Sequence, residues 1–267
     1  MIPKVIHYCW FGGAPLPDLA LKCIDSWKKF CPDYKIVEWN ENNFNLECCD
    51  FTRESYNAKK WAFLSDCARL YIVYHEGGIY LDTDVELVKS LDEVLNNDCF
   101  FGEETSGYIN TGLGFGAEKG SKIVYELLKK YTESRFLLLD GSYDLLPCPQ
   151  KNTEPLLKYG YKYRENEIWR ENGVTVYPPE YFCPLDYKTG VMKKTKNTIS
   201  IHCYNASWHT KLDKIIMTIE QCDRKCNPIE YKIRRGISFP VRVINKIKKL
   251  GLKEVVRFSK NKLKKLL

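Results

Sequence analysis

Asp82 and Asp84 stand one residue apart in the stretch IYLDTDVEL, which runs from Ile79 to Leu87. Read as a strand, it puts Ile79, Leu81, Thr83 and Val85 on one face and Tyr80, Asp82, Asp84 and Glu86 on the other. Three carboxylates on one face repel one another and lose hydration unless a cation or water compensates. A divalent cation is one answer, because hard ions prefer carboxylate oxygens and can bridge them to a diphosphate. A solvated loop is the other, since an isolated Asp-x-Asp is a common sequence. Upstream, Asp66 and Arg69 lie three apart on one flank of a helical stretch, an ordinary ion pair or part of the same site. Downstream, His202 opens the segment HCYNASWHT and reads as a metal ligand or as a histidine satisfied in the core.

A third cluster lies between them. Gly107, Gly112, Gly114 and Gly116 surround Asn110 in the segment 100–116. Such glycines admit either a ligand or a neighbouring strand at close range. The segment ends in no Gly-Lys-Ser/Thr and lacks a GxGxxG register, so it is not a phosphate-binding loop of either kind.

The elements that must hold these residues can be read from period and punctuation. Lys4 to Trp10 is apolar and β-prone, follows Pro3 and runs into Gly12 and Gly13, which predicts a first buried strand ending in a turn. A helix over about Leu19–Phe30, closed by Pro32, and a strand over Tyr34–Trp39 follow. Strand, helix, strand opens a nucleotide-binding α/β layout, whose ligands bind beyond the strand ends. From about Arg53 to Glu76 the 3.6-residue period predicts one helix, with Phe63, Cys67, Leu70 and Tyr74 on its core stripe and Ala62, Asp66, Arg69 and Val73 beside it. Gly77 and Gly78 stop it. Lys122 to Tyr131 reads as helix, 137–184 as loops and short strands facing an acceptor, and Thr198–Cys203 as strand.

Composition narrows the class. A chain of 267 residues, 44% hydrophobic, holds one substantial core, and it carries no low-complexity tract or solenoid repeat. The twelve cysteines are scattered through apolar stretches, as at Cys9, Cys67, Cys99 and Cys203, and neither the adjacent Cys48 and Cys49 nor Cys222 and Cys226 repeats zinc-site spacing. Buried thiols are expected. The opening MIPKVIHYCWFGG has no basic leader and no sustained apolar run. A cytoplasmic protein, peripheral at the inner face of the cell membrane, is therefore expected.

The net charge of +7 is unevenly placed: after residue 210 there are 17 Lys or Arg against 5 Asp or Glu, and before it 24 against 29. The division expected is a catalytic domain over 1–210 and a basic tail over 211–267. From Pro240 onward, Val241, Ile244, Ile247, Leu252, Val255, Leu263 and Leu266 interleave with lysines and arginines at near-helical spacing. Such a helix suits an anionic membrane surface. Nucleic acid is not an expected partner, because stacking aromatics are scarce there.

Taken together, IPKVIHYCWFGG, SDCARLYIVYHEGGIYLDTDVEL and HCYNASWH resemble the Asp-x-Asp sugar-binding glycosyltransferases of glycosyltransferase family 32. That family includes fungal Golgi mannosyltransferases and bacterial capsule and lipopolysaccharide sugar transferases, and the catalytic domains of large glucosylating toxins are similar. The resemblance covers roughly residues 1–210. It implies a GT-A type, Rossmann-like α/β fold, here with a basic helical extension, that uses Mn²⁺ or Mg²⁺ and transfers a sugar with retention from a UDP- or GDP-sugar. The acceptor would be a glycan or lipid-linked hydroxyl, as in surface polysaccharide biosynthesis.

Carried over by motif, the strand Ile6, His7, Tyr8 to Trp10 holds base and ribose, and Asp66 and Arg69 bind the donor sugar and diphosphate. Tyr80 and Asp82 line the donor, Asp82 and Asp84 ligate metal, His202 is a further metal or diphosphate ligand, Asn110 lies near the donor sugar, and Ser207 and Trp208 close over the diphosphate. Asp66, Arg69, Asp82 and Asp84 form the catalytic set. The chain departs from the family on the acceptor side, reading Thr153-Glu154-Pro155 where many members have Thr-Gly-Pro. Two other readings remain: a metal-dependent hydrolase or phosphotransferase acting on a diphosphate, and a non-catalytic, membrane-associated subunit.

Overall fold

In a computed structural model of the chain the described residues are 1–104, 107–163, 166–187 and 190–204. All but Tyr187 and Gly190 fall in one compact unit. Ser207, Trp208 and the basic segment 211–267 lie outside the described residues.

The first strand, β1 (Val5–Cys9), is followed by helix α1 (Asp18–Phe30) and strand β2 (Lys35–Trp39). Helix α1 forms because Ala20, Cys23, Ile24 and Trp27 recur at helical spacing and are all buried, while Asp18 in its first turn and Lys28 and Lys29 in its last complement the helix dipole. Two helices then stand where the sequence predicts one: α2 (Asp50–Asn57) and α3 (Trp61–Glu76). The break falls at Ala58–Lys60, with Lys59 in the left-handed region at φ 54°. The apolar period runs through it because both helices face the same core.

After α3 come strands β3 (Gly78–Tyr80) and β4 (Val85–Leu87), then β5 (Cys99–Gly102) and β6 (Phe115–Ala117). Helices α4 (Lys122–Thr132) and α5 (Cys148–Lys158), strands β7 (Trp169–Glu171) and β8 (Val174–Tyr177), the short helix α6 (Pro179–Phe182) and strand β9 (Ser200–His202) complete the unit. The fold is α/β, as expected. Seven strands form one sheet in the order β2-β1-β3-β6-β5-β8-β7, and β4 pairs with β9 in a separate ribbon. Strand β1 runs parallel to both β2 and β3, whereas β6 is antiparallel to β3 and β5.

Two clusters of buried side chains cover the sheet. One gathers Leu64, Leu70, Val124, Leu127, Phe101 and Phe115, the other Ile6, Trp27, Ile79, Phe100 and Phe182. Phe100 and Phe101 belong to different clusters, as strand alternation requires. Gly78, at φ 98°, seats β3 against β1: a β-carbon there would stand 2.9 Å from the Val5 carbonyl oxygen and 3.0 Å from His7 Nε2.

The Asp-x-Asp stretch departs from its predicted strand. β3 stops at Tyr80, and the chain crosses from the large sheet to the ribbon through Leu81–Asp84. The two aspartates therefore stand on a turn, not on a strand face, and their separation follows the turn instead of the pleat. Helix α5 also differs from the expected loops of 137–184.

Candidate active site

The turn between β3 and β4 is closed by the Val85 amide donating to the Asp82 carbonyl at 3.0 Å. It is held from two sides. The Asp82 amide donates to the Gly112 carbonyl at 3.2 Å, and the Cys203 amide donates to the Asp84 carbonyl at 2.8 Å. Antiparallel pairing of β4 with β9 sets Val85 opposite His202. The imidazole Nε2 of His202 then lies 3.1 Å from Asp84 Oδ1. One ligand atom from each of Asp82, Asp84 and His202 falls within 4.8 Å of the other two. Burial opposes the His202 imidazolium, but Asp84 and Asp82 outweigh it and hold the group above its usual pKa. Its Nδ1 has no hydrogen-bond partner among the described residues.

Behind this turn, α3 delivers Asp66 and Arg69. The Arg69 side chain, 4% exposed, places Nη2 2.8 Å from Asp66 Oδ1 and 3.3 Å from Asp82 Oδ1. Its Nε donates to the Ser65 carbonyl at 3.0 Å, and the guanidinium lies 5.0 Å from the centre of the Tyr80 ring. The Tyr80 hydroxyl donates to the same Asp82 oxygen at 3.1 Å. Burial pushes the Asp66 carboxyl up to about 6, with Arg69 opposing and Asp82 adding to the shift. The residues whose helix spacing suited an ordinary ion pair or part of the site are thus a buried ion pair that also reaches Asp82. Three carboxylates against one guanidinium leave an excess of acid, which a divalent cation would offset. Two carboxylates and an imidazole are a donor set suited to Mn²⁺ and acceptable to Mg²⁺.

The loop 109–112 forms the third wall. Asn110 Oδ1 accepts from the Gly112 amide at 2.8 Å, and its Nδ2 donates to Glu104 Oε2 at 3.2 Å. A β-carbon on Gly112 would stand 2.2 Å from Asp82 Oδ2, 3.0 Å from Arg69 Nη1 and 3.1 Å from Asn110 Oδ1. Close approach therefore accounts for this glycine. Strand packing accounts for Gly116, whose β-carbon would meet Phe100 and Ile79.

Helix α5 braces that loop. Thr153 Oγ1 accepts from the Ile109 amide at 2.9 Å and donates to the Pro149 carbonyl at 2.6 Å. Asn152 Nδ2 donates to Thr111 Oγ1 at 3.0 Å, and the Cys148 thiol reaches Asn110 Oδ1 at 3.7 Å. Glu154, at the family departure, is exposed instead and pairs with Lys130 at 2.8 Å and Lys158 at 2.7 Å.

Residues 17–101 match the glycosyltransferase sugar-binding region containing the DXD motif. It spans α1 to β5, and so contains Asp66, Arg69, Tyr80, Asp82 and Asp84. Two curated relatives come from Schizosaccharomyces pombe. Inositol phosphoceramide mannosyltransferase 1 is 30% identical over 122 residues, covering 41% of this chain and 37% of that protein. Inositol phosphoceramide mannosyltransferase 3 is 26% identical over 144 residues, covering 51% and 38%. The chain thus matches under two-fifths of the length of either relative. Among solved structures, the PaToxG glycosyltransferase has a TM-score of 0.46 at 19% identity, covering 59% of this chain and 70% of that one. The galactosyltransferase LgtC, solved with donor and acceptor sugar analogues, scores 0.44 at 15% identity, covering 86% and 99%.

Within and beside the sugar-binding region, the structure brings together Asp66, Arg69, Tyr80, Asp82, Asp84, Asn110 and His202. Strand β1, expected to hold base and ribose, runs beside them in the sheet. The Ile6 side chain is in the core. His7 Nε2 bonds the Gly77 carbonyl at 2.9 Å while its Nδ1 accepts from Trp39 Nε1 at 3.0 Å, and burial lowers its pKa. The Tyr8 hydroxyl donates to Glu38 Oε2 at 2.7 Å, and Trp10 Nε1 to the Ala14 carbonyl at 2.6 Å. Within β1 only Ile6 and His7 pair with β3, so β1 extends past it by Tyr8 and Cys9, on the side where the Asp82 turn begins. Cys9 is buried beside Arg69 and Tyr80 with its thiol pushed up to about 12, chiefly by burial.

Sequence reading missed Gly112, Cys148, Asn152 and Thr153 as site residues. What marks α5 is structural: Lys151, Asn152 and Thr153 are three consecutive polar residues, all buried. The sequence alone did not reveal that burial.

Proposed function

We propose that the chain is a metal-dependent, retaining glycosyltransferase of the GT-A type, moving a sugar from a UDP- or GDP-sugar to a hydroxyl of a glycan or lipid-linked acceptor. The observation that carries this reading is the meeting, within 4.8 Å, of Asp82 and Asp84, on a turn inside the matched region 17–101, with His202 of β9.

Asp82, Asp84 and His202 would hold Mn²⁺ or Mg²⁺, which would supply positive charge to the diphosphate as the bond to the anomeric carbon breaks. Arg69, fixed by Asp66, Ser65 and Tyr80, keeps Asp82 in one orientation and adds a permanent cation behind it. Asn110 and Glu104 offer an amide and a carboxylate to sugar hydroxyls, with Asn110 held in place by Gly112 and α5. Preorganised polar groups of this kind need little rearrangement during the reaction. Retention would follow from a same-face displacement or from a covalent carboxylate intermediate.

The test is incubation of the purified protein with Mn²⁺ and a panel of UDP- and GDP-sugars, reading nucleotide release alongside Asp84→Asn. Release from selected donors, lost in the variant and on chelation, supports the reading and names the donor. Release from no donor, together with no metal-dependent nucleotide binding, sinks it.

A further inference from the structure

We infer that the segment between α4 and α5 is a hydrophobic wedge that docks the protein on a lipid bilayer. Among the described residues fourteen large hydrophobic side chains are exposed, and six of them, Leu137, Leu138, Leu139, Tyr143, Leu145 and Leu146, fall within ten positions. Elsewhere such residues occur singly or in pairs, as expected of an ordinary soluble surface, whereas a cluster of this kind marks a contact.

The wedge is firmly rooted. Phe136 is fully buried, with its ring centre 5.4 Å from those of Phe51 and Phe63, and it stacks on Tyr143 at 5.1 Å. Arg135 Nε donates to Glu54 Oε1 at 2.6 Å, and the Leu137 amide donates to Glu54 Oε2 at 2.8 Å. Above this clamp a tight hairpin closes on itself. The Leu138 amide donates to the Ser142 carbonyl at 2.8 Å, and the Gly141 amide to the Leu138 carbonyl at 2.9 Å. These internal bonds lower the cost of entering a medium that offers no partners. Asp140, whose Oδ1 accepts from Ser142 Oγ at 2.6 Å, stays ionised at the turn and limits entry to the headgroup and upper acyl region.

Two features favour lipid over a protein partner. The apolar side chains project from a hairpin, with Leu139 at 111% exposure, and a deformable bilayer interface receives a projecting wedge without a preformed cavity. The chain also carries 17 basic against 5 acidic residues after residue 210, which complements anionic headgroups. The wedge lies close in sequence to the candidate site: Leu146 is two residues from Cys148, whose thiol reaches Asn110. A bilayer-docked wedge would keep that wall of the site near the surface where a lipid-linked hydroxyl resides.

The full chain should float with neutral phosphatidylcholine vesicles at high salt, conditions that silence the basic tail. The full-length variant Leu138→Ser/Leu139→Ser/Leu145→Ser should lose about tenfold or more of that partitioning, with an unchanged melting curve because the three side chains are exposed. Leu157→Ser, an exposed leucine on α5, should leave partitioning intact. Equal flotation of parent and triple variant overturns the inference, as does failure of the parent to float. Conversion of a parent dimer to a monomer by the triple variant, seen by light scattering without lipid, also overturns it, since a second copy then covers the leucines. No arm reads sugar transfer, so the outcome is independent of the enzymatic reading.

Discussion

Asp82 is the most constrained of the site carboxylates. One of its oxygens faces Arg69 and Tyr80, and the other stands where a β-carbon on Gly112 would come within 2.2 Å. Gly112→Ala must therefore push the carboxylate or the loop aside. A misplacement of about 1 Å costs on the order of 10²-fold in turnover, so nucleotide release should fall by about that factor while the protein stays folded; an unchanged rate would show that Asp82 tolerates displacement. His202 makes a separable prediction. Its imidazole bonds Asp84 and completes the three-residue cluster. His202→Gln should weaken Mn²⁺ binding about tenfold or more, read by calorimetry without any donor present; undiminished affinity would remove the histidine from the metal set. Asp82 stood out by type and spacing as one of a pair of candidate metal ligands, whereas His202 entered as a ligand only through the family resemblance. Gly112 was legible only as one of several glycines, because a sequence does not say which of them faces a carboxylate.

Helix α5 shows how an element can matter to a site without supplying its chemistry. Asn152 and Thr153 each bond the loop 109–112, and both are buried. Asn152→Ala leaves the Thr111 hydroxyl without that donor, and Thr153→Val leaves the Ile109 amide without its acceptor. Each should cost ~1–3 kcal/mol of stability by urea unfolding. Both should also slow nucleotide release beyond what the lost stability explains, because the loop positions Asn110 and Gly112. Glu154→Gly, the family's usual residue, should leave the site geometry unchanged, since Glu154 points outward to Lys130 and Lys158; a large gain in turnover would show that the departure reaches the acceptor side after all. Helix α1, with its one buried stripe, and strands β1 and β2 were read close to their observed bounds. Helix α5 was not, because Pro147, Pro149 and Pro155 punctuate it and its buried face is partly polar. The strand predicted across Ile79–Glu86 failed for a different reason. Its alternation is genuine, but β3 and β4 belong to different sheets, and the turn between them takes both aspartates.

At the scale of the whole molecule, the α/β class and the order of its first elements follow from patterns that any buried sheet requires. The seven-strand order, with β6 antiparallel between β3 and β5, does not, because local sequence carries no record of which strands become neighbours. One consequence of that order is the burial of Glu103. It follows β5, bridges to Ile109, donates its amide to the Tyr177 carbonyl at 3.0 Å and accepts the Tyr161 hydroxyl at 2.9 Å. Burial pushes its carboxyl from 4.5 up to about 7, against the opposing Tyr161 bond. Between those two values the folded chain holds a proton that the unfolded chain has released. Stability from this group is therefore greatest below about pH 4.5 and declines as pH rises through about 7. At 1.36 kcal/mol per unit the whole shift is worth roughly 3 kcal/mol, of which about 2–3 kcal/mol falls between pH 5 and pH 8. Glu103→Gln retains an acceptor for Tyr161 but cannot ionise. Urea midpoints at pH 5 and pH 8 should show the variant gaining on the parent by about that amount as pH rises, and a constant gap would mean that Glu103 ionises in the fold at its ordinary pKa.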